Sequence, residues 1–141
     1  MNDTQIFLPV ALLALWTLLI LIALGLSRVQ AVRAGKARAG FYRYYEGESG
    51  EPDWLKGIGR HYHNLLELPI LFYVAAITAH ILGISGGALL ELAWAFLGLR
   101  LLHSLIHLFS NRVPLRFLSF LLGAIVVALM WGLILLHLIG Q

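Results

Sequence analysis

Two short stretches hold most of the side chains that could do chemistry. The first is Arg60-His61-Tyr62-His63-Asn64-Leu65-Leu66-Glu67-Leu68-Pro69. Arg60, His63, Asn64 and Glu67 are spaced i, i+3, i+4 and i+7, which puts all four on one face of a helix. The second holds Arg100, His103, Ser104 and His107, with Asn111 one turn further. Arg100, His103 and His107 again share a face. A rim of arginine, histidine and amide with few acids suits an anionic ligand carrying carboxylates or phosphates. The paired imidazoles His61/His63 and His103/His107 raise a metal as the rival ligand. With no cysteine in the chain, no aspartate nearby, and Arg60 and Arg100 repelling a cation, no metal is expected. No Gly-rich phosphate loop, Ser–His–Asp order or nucleotide motif is present.

The elements that must position these residues are apolar. Hydrophobic residues make up 60% of the 141 and charged residues only 12%, with mean hydropathy +0.86. A water-soluble domain of this size could not cover so much apolar surface; in lipid that surface is the solvated one. The chain reads as one domain, 1–141, an all-α membrane protein of four transmembrane helices in an antiparallel bundle. The spans are expected at about 6–27, 59–82, 88–109 and 115–139, each long enough for ~30 Å of hydrocarbon. A basic loop fills about 28–57, its arginine-rich start continuing the first helix.

Charge placement sets the orientation. Nine of the ten Lys/Arg fall in or beside the first and third connections, and the tenth, Arg100, lies within a span. Positive residues stay on the cytoplasmic side, so both termini should face away from it. The net charge of +3 therefore marks membrane topology, and no nucleic-acid partner is expected. An ionisable group inside a span costs a few kcal/mol and should face the bundle interior or a wet cavity. By depth, Glu67 and Arg100 can meet, and an intramembrane Glu67–Arg100 ion pair is expected. One such pair can simply lock helix register, and a lone histidine on an apolar helix is most often packing. A whole rim at one depth calls for a ligand.

At these residues the chain resembles the MAPEG family, the membrane-associated proteins of eicosanoid and glutathione metabolism. The resemblance rests on four spans, a long basic first loop, Arg60-x-x-His63-Asn64-x-x-Glu67-x-Pro69, and Arg100-x-x-His103-x-x-x-His107 leading to Arg112-Val113-Pro114-Leu115-Arg116. Phe72 and Tyr73 after Pro69 look like the bacterial branch, hence an inner-membrane location. The resemblance implies a homotrimer with glutathione, a cosubstrate, held between subunits near the cytoplasmic side. Arg60, His63, Asn64, Glu67, Arg100, His103 and His107 would bind it, Arg28 or Arg33 would add an anion contact, and Arg116 would stabilise the thiolate. The implied activity is a glutathione transferase or peroxidase of microsomal type acting on a lipophilic substrate from the surrounding membrane lipids. The chain departs from members with defined synthase activity at His63, where they carry arginine, and at His107 and Phe120, where they carry tyrosine. Those departures favour the alternative, a non-enzymatic trimeric scaffold or lipid-binding protein of the same fold.

Overall fold

The computed structural model describes residues 3–45, 50–110 and 112–140. Asn111 and positions 46–49 of the expected loop lie outside the described residues. A 3-10 turn (Asp3–Ile6) leads into α1 (Phe7–Arg33). After the short α2 (Phe41–Tyr44) come α3 (Asp53–Ile81), α4 (Ala88–Leu105), its π-helical continuation (Ile106–Ser110), and α5 (Val113–Ile139). The four long helices are each long and apolar enough to cross a membrane, and no strand occurs among the described residues.

Local chemistry accounts for the helix ends. α1 runs past its expected apolar limit because nothing between Ser27 and Arg33 breaks a helix. It stops at Gly35, whose φ of +68° suits a residue without Cβ. There Gly35 N–H bonds the Val32 carbonyl and Lys36 N–H bonds the Ala31 carbonyl, which satisfies two orphaned acceptors. Gly83 (φ +70°) ends α3 in the same way, through Ala79 and His80. α3 begins earlier than its apolar run, directly after the extended Pro52. Pro114 occupies the first turn of α5, where its missing N–H costs nothing.

α1 and α5 lie on opposite sides of the bundle, each packed against α3 and α4. The inward face of α3 is His61, Leu65, Pro69, Phe72, Ala76 and Ala79, a helical repeat that meets Leu13 and Ile20 of α1, Ala93, Phe96 and Leu97 of α4, and Val127, Met130 and Ile134 of α5. Phe72 and Phe96 stack with ring centroids 4.5 Å apart. Lipid is as apolar as leucine, so these helices associate by close packing and interhelical hydrogen bonds rather than by escape from water. Small residues (Ala75, Ala76, Ala79, Ala93) permit that approach. The Trp16 indole donates to Ser104 Oγ (3.0 Å), tying α1 to α4, and the Trp131 indole donates to the Leu71 carbonyl (3.2 Å), tying α5 to α3. A second cluster, Leu24, Ala31, Ala37 and Leu55, fastens the basic loop onto α1 and α3.

Ala76 is fully buried at this junction. Ala76→Leu should destabilise the fold by about 1–3 kcal/mol through overpacking. The check is a lower melting temperature in detergent, while Leu136→Ala, at an exposed apolar position, leaves it nearly unchanged.

Candidate functional site

Arg100 is the deepest charge in the bundle, 1% exposed. Its guanidinium carbon lies 5.1 Å from the Phe96 ring centroid and 5.2 Å from that of Phe120, so two aromatic faces sandwich the cation. Gly123 makes the room: a Cβ there would stand 3.0 Å from Arg100 Nη2. One turn on, Ser104 Oγ donates to the Arg100 carbonyl (2.9 Å) while accepting from Trp16. The expected Glu67–Arg100 ion pair does not form. None of the three guanidinium nitrogens has a hydrogen-bond partner, and Glu67 acts on Arg100 only through space. The aromatic clamp and the Gly123 notch hold the guanidinium in the core, whereas Glu67 is exposed on the subunit's surface.

α3 is also rotated from the expectation that its polar face turns into the bundle. Arg60, His63 and Glu67 are exposed and Asn64 is half-buried; His61, one position from Arg60, points inward instead. His61 meets His103 and His107, with ring centroids 6.1 Å and 4.9 Å away. Its neighbours at i+4 and i+8, Leu65 and Pro69, belong to the apolar core face, and that was the available signal in the sequence.

The candidate residues spread over three adjoining clefts at the basic end. Asn64, Glu67, His103 and Arg116 share a cleft of about 290 Å³ with Phe117 and Phe120. Arg28, Arg60 and His63 share a second, of about 360 Å³, with Tyr45 and Glu51. Arg60 also borders a third, of about 660 Å³, with His107, Asp53 and Trp54. Arg100 lines none of these, and Arg33 lines a further groove with Arg28, Val29, Val32 and Tyr42. Of these two arginines near the end of α1, Arg28 is the one that also lines the cleft with Arg60 and His63. It is held there by Glu51 (3.5 Å) and by the Tyr42 ring, 5.2 Å from its guanidinium carbon. Tyr42 donates its hydroxyl to Glu51 Oε1 (2.5 Å). Burial, followed by that bond and the carboxylate's charge, pushes the Tyr42 phenol up to about 12.

The first cleft combines an amide, a carboxylate, an imidazole and a guanidinium with two phenyl rings. It can hold a polar, charged ligand against an apolar wall. Ser119 at its back accepts a place in the same network, 3.0 Å from His103 Nδ1. Compared with known proteins, residues 6–136 match the model of the MAPEG family, nearly the whole chain. No curated protein and no solved structure gives a match.

The clamp on Arg100 makes position 123 intolerant. Gly123→Ala should lower the melting temperature even though alanine is the better helix former by about 1 kcal/mol. Gly98→Ala, where an added Cβ meets nothing within 4 Å, should leave it unchanged or raise it. Equal effects at both positions would mean that Arg100 does not need the notch.

Proposed function

Because the chain belongs to the MAPEG family, a membrane family generally linked to glutathione, we propose that it is a glutathione-dependent transferase or peroxidase acting on lipophilic electrophiles. The observation that carries this reading is the first cleft, where Arg116, Asn64, Glu67 and His103 adjoin Phe117 and Phe120. Glutathione arrives from water with two carboxylates, an ammonium and a thiol. Glu67 suits the ammonium, Asn64 the peptide amides, and Arg60 and Arg28 the carboxylates. Arg116 beside the thiol favours the thiolate, as a neighbouring cation lowers a thiol pKa. The phenyl rings receive the apolar partner from the bilayer.

In the transferase reaction the thiolate attacks the electrophilic carbon, a C–S bond forms, and the leaving group departs with its electron pair. In the peroxidase reaction two thiols are oxidised to a disulfide while a hydroperoxide is reduced to an alcohol and water. A lowered pKa gives more thiolate but a weaker nucleophile, so much of the rate comes from bringing together reactants from two phases.

The same residues favour a homotrimer. Arg60, His63 and Glu67 are exposed on one subunit, within a helix able to span the membrane. A bare charge near the bilayer centre costs about 2.5–3.5 kcal/mol by insertion scales, and a neighbouring copy would cover this face and close the clefts around the peptide. By the positive-residue rule the basic end is cytoplasmic and both termini lie across the membrane, the inner membrane for a bacterial member. One observation favours the rival lipid-binding scaffold: a cleft of about 520 Å³ on α4 and α5, lined by Leu92, Ala95, Leu129, Gly132 and Leu136, suits an acyl chain.

Calorimetric titration of glutathione into the purified protein tests the proposal. Heat of binding is expected in the millimolar range, with the bound thiol's pKa rising by about one to three units in Arg116→Ala relative to wild type. Absence of binding at millimolar glutathione, with stoichiometric lipid retained through purification, makes the scaffold reading correct instead.

A further inference from the structure

Three imidazoles meet in the core at the basic end of the bundle, from positions 61, 103 and 107. All are buried, at 0%, 2% and 4% exposure. Their ligand-capable nitrogens lie within 4.8 Å of one another. Five of the six ring nitrogens have no hydrogen-bond partner. Buried ring nitrogens without partners are costly, so three such rings facing one another form a site for a bridging ligand. We propose that His61, His103 and His107 bind one transition-metal ion of the zinc class, a site that borders the proposed glutathione cleft through His103 but whose occupancy does not require glutathione.

Hydrogen bonding at the rear of the cluster prepares it for a metal. Ser119 Oγ donates its single proton to the Arg116 carbonyl (3.0 Å). It can then only accept from His103 Nδ1–H, also at 3.0 Å. That bond fixes the tautomer and leaves His103 Nε2 as a bare lone pair, one of the five unpartnered atoms. Metal-bound histidines characteristically donate their other ring N–H in this way. At His107 the Gly57 backbone borders the ring without reaching hydrogen-bond geometry. His107 also sits in the π-helical turn, a local unwinding that occurs frequently at functional sites.

The number and kind of ligands identify the ion. Three neutral nitrogens and no sulfur suit a divalent ion such as Zn²⁺, bound tetrahedrally with one position open. Metal–nitrogen bonds of about 2.0–2.1 Å need nitrogens roughly 3.4 Å apart, so side-chain rotations must draw the rings together by about an ångström.

The surrounding charges determine the fourth ligand. His103 opens on the cleft with Arg116 and Glu67, and His107 on the cleft with Arg60 and Asp53. Arg100 lies three residues before His103 on α4. These three arginines oppose a bare dication and favour one whose open position is filled by an anion: hydroxide, carboxylate or thiolate.

The test uses untagged protein in detergent, treated with chelator and titrated with Co²⁺ in the absence of thiol. One equivalent per chain should produce the visible absorption of tetrahedral cobalt, and Zn²⁺ should bleach it. His61→Ala, His103→Ala and His107→Ala should each abolish it, while His63→Ala, on the outer face, retains it. Ser119→Ala should weaken binding about 10–100-fold. Where a histidine variant fails to fold, the wild-type protein still decides, because a bound ion must raise its melting temperature with the logarithm of Zn²⁺ concentration once that exceeds the dissociation constant. Absence of both the absorption and the shift, or an absorption that survives in the trio variants, overturns the site.

Discussion

A guanidinium that cannot reach water imposes its terms on most of the polar interior. Arg100 lies mid-way along a helix able to span the membrane, almost wholly removed from solvent. A buried cation without compensation costs several kcal/mol. Here two phenyl faces supply the attraction, a glycine on the facing helix supplies the room, and Glu67 adds a field from a distance. The serine that bonds the Arg100 carbonyl also receives the Trp16 indole, so the first helix is indexed to the same residue. Histidines then occupy the two following turns, between this cation and the basic end.

Much of this was legible from composition. Four apolar runs punctuated by Gly-rich and Pro-containing turns specify four spans, and charges inside those runs mark where polar groups must be gathered. The rotation of α3 was not legible, for a physical reason. In a soluble helix the apolar side faces the core, but here both core and lipid accept leucine, so Leu65 (buried) and Leu66 (exposed) look alike in the sequence. The spacing of Arg60, His63, Asn64 and Glu67 says that they share a face without saying what that face meets. The Glu67–Arg100 pairing failed for the same reason. Comparable depth along two helices is necessary for contact, but azimuth decides it.

The outward placement of those residues changes how the site is read. Within one subunit they border separate clefts rather than a single pocket, so a ligand that touched all of them would need another surface to bridge the clefts. Arg28 belongs to this rim because α1 continues beyond its apolar stretch and Glu51 and Tyr42 hold it in place. The basic loop is thus part of a wall, packed through Leu24, Ala31, Ala37 and Leu55.

The notch at Gly123 links two positions far apart in the chain. While Arg100 is present, a Cβ at 123 stands 3.0 Å from its Nη2, so a side chain there requires the guanidinium to give way; once Arg100 becomes a small residue, glycine at 123 leaves a void beside two phenyl rings. Neither position can drift by itself without passing through a poorly packed intermediate. In evolutionary terms they form a single character: lineages that keep the arginine should keep the glycine, and lineages that lose one should show compensating bulk at the other.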